Sequence, residues 1–86
     1  MPLRKLVLDV LKPIKGSSIV ELAEELSAID GVSQVSVVVN EMDVETVTLV
    51  ITVEGNSINF NNVKEVIERL GGIIHSVDQV VASRAG

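Results

Sequence analysis

The run Leu3-Arg4-Lys5-Leu6-Val7-Leu8-Asp9-Val10-Leu11-Lys12, closed by Pro13, constrains the fold more than any other stretch. Leucine and valine in such density, stopped by proline, predict a strand buried on both faces. A strand covered on both sides belongs in the middle of a sheet. One carboxylate, Asp9, stands at its centre between Leu8 and Val10. A charge in that position is costly unless something pairs with it.

The rest of the chain must supply the neighbours. Its 86 residues predict one domain over 1–86, too short for two cores. Phe60 is the only aromatic side chain, so the core has to be built from Val, Ile and Leu. A core of this size covers a modest fraction of the surface, which favours extra burial by self-association.

Lys12 to Ser17 reads as a turn, and Ser18-Ile19-Val20-Glu21 has the spacing of a capping box. Ile19, Leu22, Leu26 and Ile29 then recur at helical steps, and Asp30-Gly31 closes the helix. Val32 to Asn40 predicts a second strand. Across the acidic turn Asp43-Val44-Glu45-Thr46, Val47 to Glu54 alternates with a period of two. Strands joined by so short a turn should pair as a hairpin. Gly55-Asn56-Ser57 reads as a loop and Asn59 as the cap of a second helix, with the stripe Phe60, Val63, Ile67 and Leu70. Ile73 to Val81 follows Gly71-Gly72 as a last strand, and 82–86 as a loose tail.

The order βαββαβ is the ferredoxin-like α+β plan. Right-handed crossovers give the strand order 4-1-3-2, a four-stranded antiparallel sheet with both helices on one face. The core side then carries Leu6, Leu8 and Val10, with Val35, Val37, Val39, Leu49, Ile51 and Val53. The open side carries Lys5, Val7, Asp9 and Leu11, beside Ser36, Val38 and Asn40, and Thr48, Val50 and Thr52. An apolar patch rimmed by polar groups marks a contact surface. The edge strand from Val32 to Asn40 has neither charge nor proline, the usual protection of an edge. Val7, Leu11, Ser36, Val38, Asn40 and Val50 are therefore the expected interface of a homo-oligomer, in closed forms such as dimers or rings.

Three groups of residues carry candidate chemistry. Asp9 lies beside the last strand, where His75 and Asp78 supply an imidazole and a carboxylate suited to a divalent metal or an acid–base pair. Three positions apart, His75 and Asp78 fall on opposite faces of a regular strand, so only one can join Asp9 without a bulge. The phase of that strand stays open, and a structural hydrogen-bonded pair explains the same residues. Glu41, Asp43 and Glu45 at the hairpin turn offer oxygen ligands to calcium or magnesium, without EF-hand spacing, and a solvated tip accounts for them equally. Lys12, Lys15, Gly16, Ser17 and Ser18 precede a helix start and could hold a carboxylate or phosphate, although an ordinary capped turn has the same residues. No GxxxxGK motif accompanies them.

The net charge of -5, from 12 acids and 7 bases, weighs against nucleic acid and anionic membranes. The open face also lacks the aromatics that stack RNA bases. Without cysteine there are no disulfides, thiolate nucleophiles or zinc knuckles. No spanning apolar run or signal-peptide h-region is seen, and the expected compartment is the cytoplasm.

Leu6-Val7-Leu8-Asp9-Val10-Leu11-Lys12-Pro13 and Gly71-Gly72-Ile73-Ile74-His75-Ser76-Val77-Asp78-Gln79-Val80-Val81 resemble the two signatures of an archaeal family, domain of unknown function 211. Asp43-Val44-Glu45-Thr46 is similar to its acidic hairpin segment. The resemblance covers nearly the whole chain and implies a ferredoxin-like fold and a ring-like oligomer, but no activity. The leading expectation is a self-associating small domain that needs no cofactor, with a divalent cation or small anion at its subunit boundaries. Two others stand beside it: a regulatory module for an amino acid or phosphometabolite at the Lys15–Ser18 turn, and an enzyme or metal site on Asp9 with His75 or Asp78.

Overall fold

The computed structural model describes residues 1–84, in the order β1 (Leu3–Pro13), α1 (Ile19–Ser27), β2 (Val32–Met42), β3 (Thr46–Ile58), α2 (Phe60–Arg69) and β4 (Ile73–Ala82). All pairings are antiparallel, and the sheet order is β2-β3-β1-β4. This is the expected 4-1-3-2 arrangement viewed from the other end, a ferredoxin-like α+β fold. β1 and β3 are central, as the apolar run of β1 requires.

Both helices start where side chains can accept their free N–H groups. Ser18 Oγ accepts from Glu21 N at 3.1 Å, and Asn59 Oδ1 from Asn62 N at 3.1 Å. Their apolar stripes press Leu22, Leu26, Val63 and Ile67 onto Leu6, Leu8, Val10, Leu49, Ile51 and Val53, closing one core. Arg69 of α2 reaches Glu25 of α1 at 2.7 Å, and that hydrogen bond and the opposite charge raise the arginine pKa above its ordinary value.

β1 keeps Lys12 and Pro13, which the reading gave to a turn, β2 runs on past Asn40 to Met42, and four further details differ from the sequence reading. Ile29 continues the helical spacing, but α1 stops at Ser27 and Ile29 packs on the core from the following turn. Gly55-Asn56-Ser57 is not a free loop: β3 runs through it as an irregularity to Ile58. There a side chain on Gly55 would meet Gly31 O at 2.0 Å, so two backbones approach where only glycine fits. On edge strand β2, Val35 and Val37 are only half-buried and Val39 is 40% exposed, because the helices do not reach over them fully. The expected loose tail is tied down at its start. Ala82 pairs with Leu3, Ser83 N donates to Pro2 O at 3.1 Å, and Arg84 O accepts from Arg4 at 3.0 Å. Residues 85 and 86 of that tail lie outside the described residues.

Candidate functional site

With both helices on one side, the other side of the sheet is left open. Its residues follow from the pairing. One row crosses the four strands as Val38, Val50, Asp9 and Ser76, and the next as Ser36, Thr52, Val7 and Gln79. Of the expected interface residues, Val7, Ser36 and Val50 are half-buried, whereas Leu11, Val38 and Asn40 are exposed. Val38 and Val50 stand directly opposite each other, with Asp9 following in the same row. Asn40 falls at a register shift between Val39 and Glu41, so it has no partner in the ladder. Ile73, opposite Leu11 and 64% exposed, extends the apolar surface. The undecided phase of β4 hid it from sequence reasoning.

That phase is resolved by two irregularities. Val7 pairs with Gln79 but Leu8 with Val77, which makes Asp78 an extra residue; Asp9 pairs with Ser76 but Val10 with Ile74, which makes His75 another. Ile74 thereby reaches the core, Ser76 comes opposite Asp9, and His75 is free to turn toward the open side. His75 lines a hollow of about 210 Å³ together with Asp9, Leu11 and Thr48. Asp78 does not line it; its Oδ1 accepts from Ser76 Oγ at 2.7 Å. The bulges thus place Asp9 and His75 around one space and hold Asp78 one residue further off.

Asp9 Oδ1 is buried and has no hydrogen-bond partner among the described residues. A buried acceptor in that condition costs about 1–3 kcal/mol. No group of three or more His, Asp or Glu side chains spaced to hold a metal ion occurs among the described residues. The hollow offers a carboxylate, an imidazole and a hydroxyl against the apolar wall of Leu11, an arrangement suited to a positively charged donor.

The other two groups lie at one end of the sheet. Glu41, Asp43 and Glu45 are exposed, and Asp43 Oδ1 accepts from Val44 N at 2.7 Å within the turn. Glu45 O accepts from Ile14 N at 2.9 Å, which ties the hairpin tip to the end of β1. A cleft of about 370 Å³ lies there between Pro13, Ile14, Lys15, Val44 and Glu45. In the expected anion turn, Ser17 Oγ donates to Leu70 O at 2.6 Å and Ser18 caps α1. Lys12 is buried opposite Val47, its Nζ donating to Pro13 O at 2.9 Å. Lys15 and Gly16 are exposed. Ser17, Ser18 and Lys12 serve the fold through these bonds, while Lys15 is exposed and lines the cleft.

The fold and its open face define a small ferredoxin-like domain of the kind built around one half-covered sheet. The chain belongs to the domain-of-unknown-function family 211, described as uncharacterised ArCR, whose profile matches residues 4–85. It is 42% identical over 82 residues to the uncharacterised protein MJ0319 of Methanocaldococcus jannaschii, covering 95% of this chain and 84% of that protein. No helix among the described residues is long and apolar enough to cross a membrane.

Proposed function

We propose that the chain serves as the subunit of a homo-oligomer, covering its open sheet face and its β2 edge with further copies of itself. One observation carries this reading. The row Val38, Val50, Asp9 and Ser76 runs across the whole sheet, half-buried at its centre, with no element above it among the described residues. A face of this composition, next to an edge strand that carries no charge from Val32 to Asn40, is the kind of surface that association covers. The cytoplasm is the compartment proposed with it. A divalent cation at the subunit boundaries would draw on Glu41, Asp43 and Glu45, which are exposed and which neighbouring copies could bring together.

Native mass spectrometry of the full chain at micromolar concentration tests both parts. Multiples of the 9.2 kDa chain are expected, with any bound ion retained as added mass. A monomer at every concentration overturns the reading; an oligomer of bare chain mass leaves association standing and removes the cation.

A further inference from the structure

The sheet ends in two strands that each lack a second neighbour: among the described residues β2 pairs only with β3, and β4 only with β1. Every pairing is antiparallel, so β2 runs with β1 and β4 runs against both. The two edges of the sheet therefore point in opposite directions. A second copy set beside the first, with its strands along the same axis and in the same sense, brings its β2 antiparallel to the first copy's β4.

The side chains of the two edges fit this meeting. On the helix side of β2, Val35 and Val37 are half-buried and Val39 is 40% exposed. On the helix side of β4, Val77 stands opposite Leu8 and Val80 opposite Leu6, yet they are 44% and 52% exposed. Core positions at both ends of the sheet are thus left half-filled in the same layer. α1 packs on β2 and α2 on β4, so a copy placed alongside brings its α1 next to this copy's α2 over the joint.

Resting on the self-association proposed above, we infer that the β2 edge of each copy is taken by the β4 edge of the next, head to tail, until the sheet closes into a ring. Carrying the rows of the sheet across the joint sets Val77 beside Val37 of the next copy and Val80 beside its Val35, apolar on apolar. On the open side the same rows set Ser76 beside Val38 and Gln79 beside Ser36, without charge. The acids of the two strands fall at different levels, because Glu41 shares the row of Ile73 and Asp78 lies between the rows of Val77 and Gln79. A two-fold contact of β2 with β2 would leave Val77 and Val80 of both copies in water. The head-to-tail joint covers both edges of every copy with one kind of contact, and a closed sheet has no edge left. The extra residues His75 and Asp78 bend β4, and a sheet that curls onto itself needs such bends.

Cross-linking tests this joint apart from self-association as such, in a chain with no cysteine of its own. Ser36→Cys and Gln79→Cys chains, each shown to be folded by circular dichroism, are mixed, reassembled and treated with a short bis-maleimide. Such a linker tolerates a shift of one residue pair, about 7 Å. Mass spectrometry should find linked dimers with one chain of each kind. Neither variant alone should give any, because equivalent positions of neighbouring copies lie four strand spacings apart, about 19 Å. Linked dimers from either variant alone, or an assembled mixture in which no unlike pair is linked, overturn the joint while leaving association by another route. A wild-type chain that is monomeric throughout overturns the self-association reading itself. Val80→Lys gives a second readout, since Val80 lies neither on β2 nor on the open face. This variant should fold like the dilute wild type and lose the mass of the assembly in light scattering. A folded Val80→Lys chain that keeps that mass overturns the joint.

Discussion

The two sides of β1 are built on the same alternation and end in different states. Toward the helices, Leu6, Leu8 and Val10 are at most 1% exposed. Toward the open side, Lys5, Val7 and Asp9 are half-buried and Leu11 is 39% exposed. The difference does not lie in the backbone, which pairs with β3 and β4 along its length. It lies in what arrives from elsewhere in the chain: two helix stripes at matching spacing on one side, and no further element on the other among the described residues. The packing differs as well. On the covered side a single added carbon at Gly72 would sit 2.8 Å from Ile67 Cγ2 and 3.0 Å from Val10 Cγ1. On the open side there is a hollow of about 210 Å³ beside Asp9. A half-filled face with a carboxylate at its centre is what the proposed association would cover.

The comparison breaks first on the covered side. Leu8→Ala removes a fully buried side chain from the middle of the core and should cost about 2–5 kcal/mol. Urea unfolding would report it as a lower midpoint, by an amount independent of protein concentration once the chain is monomeric. Gly72→Ala tests the lack of room there. Its methyl group has to displace Ile67 or Val10, both 0% exposed, and should cost about 1–3 kcal/mol in the same measurement. An unchanged midpoint for Gly72→Ala would mean that the covered side is looser than its contacts require.

Much of this contrast could be read before the structure. The period of two in β3, the +3 and +4 steps of both helices and the caps at Ser18 and Asn59 identify every element and the order of the sheet. What escaped detection was wherever a strand departs from its period. β4 contains two extra residues, and His75 and Asp78 are those residues, so no regular alternation could assign their faces. Gly55-Asn56-Ser57 has the composition of a loop, yet its backbone stays in the sheet because Gly31 and Gly55 can approach closely. The place of Asp9 in an apolar run singles it out in the sequence. That one of its oxygens lacks a donor depends on side-chain positions, which spacing does not give.

Val38→Lys sharpens the comparison from the open side. Val38 is 55% exposed on an edge strand, opposite Val50 and in one row with Asp9. In the isolated chain the new ammonium can stay in water, and the unfolding free energy should change by no more than about 0.5 kcal/mol. In an assembly the same ammonium enters an apolar contact, and lysine on an edge is how sheets ordinarily resist pairing. The expected result is a variant that melts like the wild-type monomer when dilute, but loses the concentration-dependent part of wild-type stability and scatters light as a single chain. A Val38→Lys protein that keeps the wild-type assembly would show that no copy lies over this part of the sheet. One that loses stability on the scale of Leu8→Ala while monomeric would show that Val38 already belongs to the core, and the two sides of the sheet would then differ less than their exposures indicate.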